Sequence, residues 1–172
     1  PTIYETLLGV RLRVSSGSFF QVNTGAAEAL CDLLRTWAEA DKDTLVLDVC
    51  CGTGNIGLPI AKSVGTVVGV DMCALAIEDA KKNALDNNIS NAYCYAGRAE
   101  QGLQDAIDQH HTKGQRIGAI VDPPREGLHP NVLWALRRCT ALDRIVYVSC
   151  HHVSWIDNAL MLTSTMHKKC NG

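Results

Sequence analysis

Two groups of residues have the types and spacing to do chemistry. The first is Leu45-Val46-Leu47-Asp48-Val49-Cys50-Cys51-Gly52-Thr53-Gly54-Asn55-Ile56-Gly57. An apolar run ends in an acid, and three glycines follow at G-x-G-x-x-G spacing. A strand, a glycine turn and a helix in that order open a nucleotide-binding α/β unit. Gly52 and Gly54 let the backbone turn tightly beside a ligand, and Gly57 lets the next helix lie close to the strand. The pattern fits NAD as well as other adenosine cofactors. About 20 residues on, Val67-Val68-Gly69-Val70-Asp71 reads as a second strand ending in an acid, where a carboxylate accepts hydrogen bonds from ribose hydroxyls. The plainer reading is that Asp71 caps the next helix.

The second group is Val148-Ser149-Cys150-His151-His152, a thiol where an apolar run stops. A thiolate is a strong nucleophile even at a few per cent ionisation, and a protonated histidine nearby would favour it. The plainer reading is a packing thiol beside surface histidines. Between the two groups, Ile117 to Val121 runs into Asp122-Pro123-Pro124-Arg125. The prolines force the chain out of the sheet and hold the Asp122 carboxylate stiffly.

These residues need a scaffold. Ile3 to Leu8 and Val10 to Val14 read as a hairpin about Gly9, with a loop over 15–18. Phe19-Phe20-Gln21-Val22-Asn23 is a packing anchor or a lid ahead of a helix over Thr24 to Ala40. That helix has Ala26, Leu30, Leu33, Leu34 and Trp37 at helical spacing and Asn23 or Thr24 as its cap. Strands are expected at 45–49, 67–70, 91–96, 117–121 and 144–148. Helices are expected to about Ser63, from Ala74 to Asn87, Leu103 to His111, Pro130 to Cys139, and Ser154 to about Met166. On the helix from Ala74, Leu75, Ile77, Ala80, Ala84 and Leu85 are the apolar positions. This alternation predicts five parallel strands with helices on both faces, which bind ligands at the strands' carboxyl ends. Asp48, Gly52, Asp71, Arg98, Asp122 and Cys150 all fall at that edge.

The chain has 172 residues, 47% hydrophobic, with net charge −2, a pI near 6.3 and mean hydropathy +0.01. That is enough for one full core, with no apolar run long enough to span a bilayer. The balance is not that of a nucleic-acid module, so any phosphate contact to nucleic acid is expected to come largely from elsewhere. The eight cysteines read as reduced thiols of an intracellular protein, cytoplasmic or nuclear. Without a C-x-x-C pair no metal site is expected. A start at Pro1 instead of Met is read as a fragment.

Five blocks together resemble the RNA (uracil-5-)-methyltransferase family, most nearly the eukaryotic tRNA enzymes that make 5-methyluridine in the T-loop. They are Phe19 to Asn23, Leu47 to Gly54, Gly97-Arg98-Ala99-Glu100, Asp122 to Leu128, and Val148-Ser149-Cys150. The resemblance covers about residues 3 to 150. After Cys150 the family continues with Asn-Pro where this chain has His151-His152, and the tail looks unlike it. Amine methyltransferases place an aromatic after a similar Pro-Pro; Arg125 stands there instead.

The resemblance implies a Rossmann-like S-adenosylmethionine-dependent methyltransferase domain over 23–172, preceded by a hairpin and lead-in over 1–22 and lacking its last strands. It implies that Gln21, Cys50, Asn55, Asp71 and Asp122 line the S-adenosylmethionine site, with Gly52 and Gly54 beneath it. Asp71 takes the ribose in place of the family's Glu. Cys150 is the implied nucleophile, adding to carbon 6 of a uracil flipped from its stack so that carbon 5 can take the methyl. The implied base is a Glu well downstream, which together with an RNA-binding domain is expected outside this chain. Cofactor binding without turnover is the expectation for these residues alone. Two alternatives remain: an NAD-binding oxidoreductase, which leaves Asp122-Pro-Pro and Cys150 idle, and an inactive cofactor-binding fragment.

Overall fold

The computed structural model describes residues 2–15 and 19–164. β1 (Thr2–Leu7) and β2 (Val10–Ser15) pair antiparallel, from Leu7 opposite Val10 to Thr2 opposite Ser15. The turn residues Leu8 and Gly9 both have positive φ, 48° and 75°, as a two-residue hairpin turn matched to strand twist requires. Leu7, Val10 and Leu12 are buried and join the main core, so the hairpin is clamped to the domain that follows.

The main sheet has five parallel strands in the order β5-β4-β3-β6-β7. They are β3 (Thr44–Val49), β4 (Thr66–Asp71), β5 (Ala92–Ala96), β6 (Arg116–Val121) and β7 (Leu142–Tyr147). β3 is wholly buried because its alternate residues enter two different cores. One core lies under α1 (Thr24–Trp37), α2 (Gly57–Ile60) and the hairpin, and takes Val46 and Ile120. The other lies under α4 (Ala99–His110) and α5 (Pro130–Arg138), and takes Leu45, Leu47, Val49 and Ala119. α3 (Ala74–Asp86) covers β4 and β5 on the hairpin's side, and α6 (His152–Thr163) packs on α5. The chain moves outward from β3 to β5, then crosses to β6 and β7. The carboxyl ends of β3 and β6 are therefore the switch point where such sheets bind ligands.

The α/β architecture is the one expected, with corrections in detail. α1 stops at Trp37 and buries Ala27, Cys31 and Leu34; Leu33 and Trp37 face outward. On α3, Leu75 and Leu85 are exposed while Asp79 and Asn83 are buried. The helix after the glycine loop is one short turn followed by a 3₁₀ turn over Ala61–Ser63. α4 begins at Ala99, earlier than the apolar spacing indicated, and β7 begins at Leu142. The loop over 16–18 and the end of the last helix near Met166 lie outside the described residues. Among the described residues no helix is long and apolar enough to cross a membrane.

Candidate active site

The glycine loop folds over the end of β4. Cys50 and Cys51 N–H both donate to the Val70 carbonyl, at 2.9 and 3.2 Å. The turn needs positive φ at Cys50 (67°), Gly52 (54°) and Gly54 (85°), a conformation side chains other than glycine's seldom adopt. A Cβ at Gly57 would stand 2.7 Å from both Asp48 Oδ2 and Val67 Cγ1, so only glycine lets α2 lie this close to the strands. At Gly52 a Cβ would meet nothing within 4 Å, so this side of the loop is open.

Asp71 performs the capping role weighed for it and also ties the glycine loop. Its Oδ1 accepts from Cys73 N–H at 2.8 Å, at the start of α3, and its Oδ2 accepts from Gly52 N–H at 2.9 Å in the loop. Each carboxylate oxygen keeps lone-pair capacity for a further donor such as a ribose hydroxyl.

Asp48 is 1% exposed; Oδ2 accepts from Gly57 N–H at 2.9 Å, and Oδ1 has no partner among the described residues. Burial pushes its carboxyl up to about 7 against that hydrogen bond, with the charges of Asp122 and Asp71 adding to the shift. Burial also raises Asp122. The Cys50 thiol is pushed up to about 12 by burial and then by Asp71, Asp48 and Asp122. The next thiol, Cys51, lies with Cys94 against Gly69 and is held protonated by their hydrogen bond and by burial. Sequence reasoning placed Asp48 at this edge but gave it no role, although a lone acid inside Leu-Val-Leu-Asp-Val was the signal for one.

Gln21 is half-buried at the approach to α1, whose cap Asn23 accepts from Ala26 N–H at 3.0 Å. Of the two aromatics before it, Phe20 packs on the core and Phe19 is 70% exposed, so anchor and exposed ring are different residues. Asn55 spends part of its amide internally: Oδ1 accepts from Thr53 Oγ1 at 2.7 Å, and Nδ2 donates to the Phe19 carbonyl at 3.1 Å. Arg98 points outward beside Glu100 at 3.9 Å.

Cys150 follows β7 on the loop into α6, and it is exposed, which removes the packing reading. His151 is the cap of α6, its Nδ1 accepting from Ser154 N–H. A residue that sequence reasoning missed organises this end of the site. Asn158, buried on α6, accepts from Leu128 N–H and from Tyr147 Oη, both at 2.7 Å. It fastens the loop after Asp122-Pro-Pro to the strand that carries Cys150. The Tyr147 hydroxyl is pushed up to about 12 by burial and stays a donor.

The structure thus brings Asp71 and Asp122 near Cys50 at the glycine loop, ties Asn55 to the Phe19 carbonyl two residues before Gln21, and places Cys150 after β7. The family model for tRNA (Uracil-5-)-methyltransferase matches residues 9–170. The chain belongs to the tRNA (uracil-5-)-methyltransferase family. The match continues well past Cys150, so the tail is closer to this family than its sequence alone indicated.

Among curated members of the family, the chain is 44% identical over 170 residues to human tRNA (uracil-5-)-methyltransferase homolog A, covering 99% of this chain and 27% of that protein. It is 40% identical over 150 residues to human homolog B, covering 87% of this chain and 30% of that one. The chain therefore spans roughly a quarter to a third of the length of these relatives. A solved structure, the Pyrococcus abyssi tRNA (uracil-54, C5)-methyltransferase in complex with S-adenosyl-L-homocysteine, superposes with a TM-score of 0.73 at 33% identity. That alignment covers 94% of this chain and 38% of the archaeal one. Precorrin 8w decarboxylase from Methanobacterium thermoautotrophicum shares the fold at a TM-score of 0.68 and 20% identity.

Proposed function

We propose that this chain carries the cofactor site and the nucleophile of an enzyme that methylates carbon 5 of uridine in tRNA, with S-adenosylmethionine as the methyl donor. The observation that carries this reading is the charge of the site. Asp71 and Asp122 lie close enough to Asp48 for their charges to raise its carboxyl, beside a glycine loop that is open at Gly52. A cationic sulfonium ligand suits such a site, and a pyrophosphate does not. Dinucleotide sites also seat the pyrophosphate on a helix N-terminus, whereas the helix after this loop has four residues. Both features favour S-adenosylmethionine over NAD. The family relative that binds S-adenosyl-L-homocysteine supports the same choice.

When bound, S-adenosylmethionine supplies an electrophilic methyl group. Asp71 would hold its ribose, Gly52 and Gly54 would lie beneath it, and Gln21, Cys50, Asn55 and Asp122 would line it. Four thiols lie near the carboxyl edge, and two of them, Cys73 and Cys150, are exposed; Cys150 is the one at the position that the family resemblance assigns to the nucleophile. Cys50 and Cys51 are held protonated by their surroundings, while Cys150 is open to solvent. Cys150 Sγ, as the thiolate, would add to carbon 6 of the uracil, and the electron pair gained at carbon 5 would take the methyl group as its bond to the sulfonium sulfur breaks, leaving S-adenosylhomocysteine. A base takes the carbon 5 proton, and the Sγ–carbon 6 bond breaks to restore the alkene and free the thiol. Residues 151–172 contain one acidic side chain, Asp157; the base is assigned, by family resemblance, to a Glu outside this chain.

Calorimetry tests the cofactor and a trapped adduct tests the thiol. S-adenosylhomocysteine should bind and NAD should not. RNA carrying 5-fluorouridine should form a stable adduct with the full-length enzyme, because fluorine blocks proton loss, and Cys150→Ala should abolish it. An adduct that survives Cys150→Ala, or that maps to Cys51, would overturn the assignment.

A further inference from the structure

Helix α3 presents Asp79, Asn83 and Asn87 to the free edge of β2, and their side chains replace a neighbouring strand. Arg11 N–H donates to Asn87 Oδ1 at 2.9 Å, and Arg11 O accepts from Asn87 Nδ2 at 2.8 Å. Arg13 N–H donates to Asn83 Oδ1 at 2.7 Å, and Arg13 O accepts from Asn83 Nδ2 at 3.1 Å. Ser15 N–H donates to Asp79 Oδ2 at 3.1 Å. The register holds because four helical residues rise about 6 Å and two strand residues about 6.7 Å.

Asn83 and Asn87 differ in where the second N–H goes. That of Asn87 returns to its own helix, to the Asn83 carbonyl at 2.7 Å. That of Asn83 reaches the Thr53 carbonyl, in the middle of the glycine loop, at 3.1 Å. Asn83 and Thr53 are both fully buried, so water does not substitute for either partner. The Thr53–Gly54 peptide is held on both sides: Gly54 N–H donates to the Cys51 carbonyl at 2.9 Å within the loop, and the Thr53 carbonyl accepts from Asn83. The Asn83 amide is thus the tie that joins this peptide to β2. A second tie, from Asn55 Nδ2 to the Phe19 carbonyl at 3.1 Å, joins the loop to the segment after β2.

We propose that Asn83 is a positioning residue for the cofactor site. Through the Thr53 carbonyl it sets the glycine turn relative to the hairpin, so that hairpin docking and cofactor affinity are coupled. This rests on the cofactor reading above. Asn87 provides a matched control, because it makes the same pair of bonds to β2 and none to the loop.

The test is calorimetry of S-adenosylhomocysteine binding to the 172-residue chain and its variants, at a temperature where each is folded. Asn83→Ala should weaken binding about tenfold, and Asn87→Ala by no more than about twofold, while both lower the melting temperature. Asn83→Asp keeps an acceptor for Arg13 N–H but cannot donate to Thr53, so it should lose affinity as Asn83→Ala does. Equal loss in Asn83→Ala and Asn87→Ala, or loss in neither, overturns the proposal and leaves the cofactor reading intact. No binding by the unmodified chain overturns both. Should Asn83→Ala not fold, NMR of the unmodified chain decides: saturation with the ligand should shift the Asn83 side-chain amide signals and leave those of Asn87 in place. Movement of the Gly52 and Asp71 amide signals without that of Asn83 overturns the proposal.

Discussion

At the scale of single residues, the buried acid at the end of β3 sets a pH dependence. Asp48 has a native pKa near 7 against an ordinary value of 3.8. Between those values the native chain keeps a proton that the unfolded chain has released, so stability falls as pH rises through this window. The contribution is complete below the unfolded value and gone above the native one. Asparagine at this position would still accept from Gly57 N–H and would carry no charge. Asp48→Asn should therefore gain stability over the unmodified chain at pH 8, and much less at pH 5. Melting curves at the two pH values check this, and an equal difference at both would refute the raised pKa. The role of Gly57 was legible in the sequence, since a fixed spacing after a strand dictates it, and so was the tie from Asp71 to the start of α3. The roles of Asn83 and Asn158 were not. A polar residue on a helix reads as surface until the backbone it satisfies is known, and those partners are 70 and 30 residues away.

At the scale of elements, the same blindness to distant partners explains where helix faces were misjudged. The exposed Leu75 and Leu85 of α3 were expected in the core, but the buried stripe faces a strand edge that demands hydrogen bonds. The strands were easier to find, because β3 and β6 are buried on both faces and read as continuous apolar runs. The carboxyl edge where the candidate site lies followed from that alternation alone. What the sequence did not reveal is how the Asp122 loop is held against β7. Asn158→Ala would leave Leu128 N–H and the Tyr147 hydroxyl without their shared acceptor. Stranding a buried donor costs about 1–3 kcal/mol. Urea unfolding should show a loss of that size, with a larger relative drop in 5-fluorouridine adduct formation because Asn158 joins the loop that follows Asp122 to β7, which leads into Cys150. A destabilised variant that formed the adduct at an unchanged rate would show that this fastening does not serve the site.

At the scale of the whole molecule, β5 and β7 are the edges of the sheet among the described residues. At the β5 edge, Tyr93 is stacked on His110, with ring centroids 3.8 Å apart, and the Tyr95 hydroxyl bonds the same histidine. At the β7 edge, Asp143 and Arg144 are exposed, and the neighbouring helix α6 exposes Val153, Trp155, Ile156 and Leu160. Unpaired strand N–H and C=O groups beside exposed apolar side chains are a template for a second copy. With a net charge of only −2, long-range repulsion between copies is weak. These residues in isolation should therefore associate as concentration rises, through the β7 edge and α6. Trp155→Lys combined with Ile156→Lys puts two charges per copy at that contact and should return the chain to monomer, with the melting temperature little changed because both side chains are exposed. Sedimentation over a hundredfold range of concentration, about 1 to 100 μM, where transient strand-edge contacts become populated, decides the matter. A chain that stays monomeric throughout, or a double variant that associates as strongly as its parent, would place the sticky surface elsewhere.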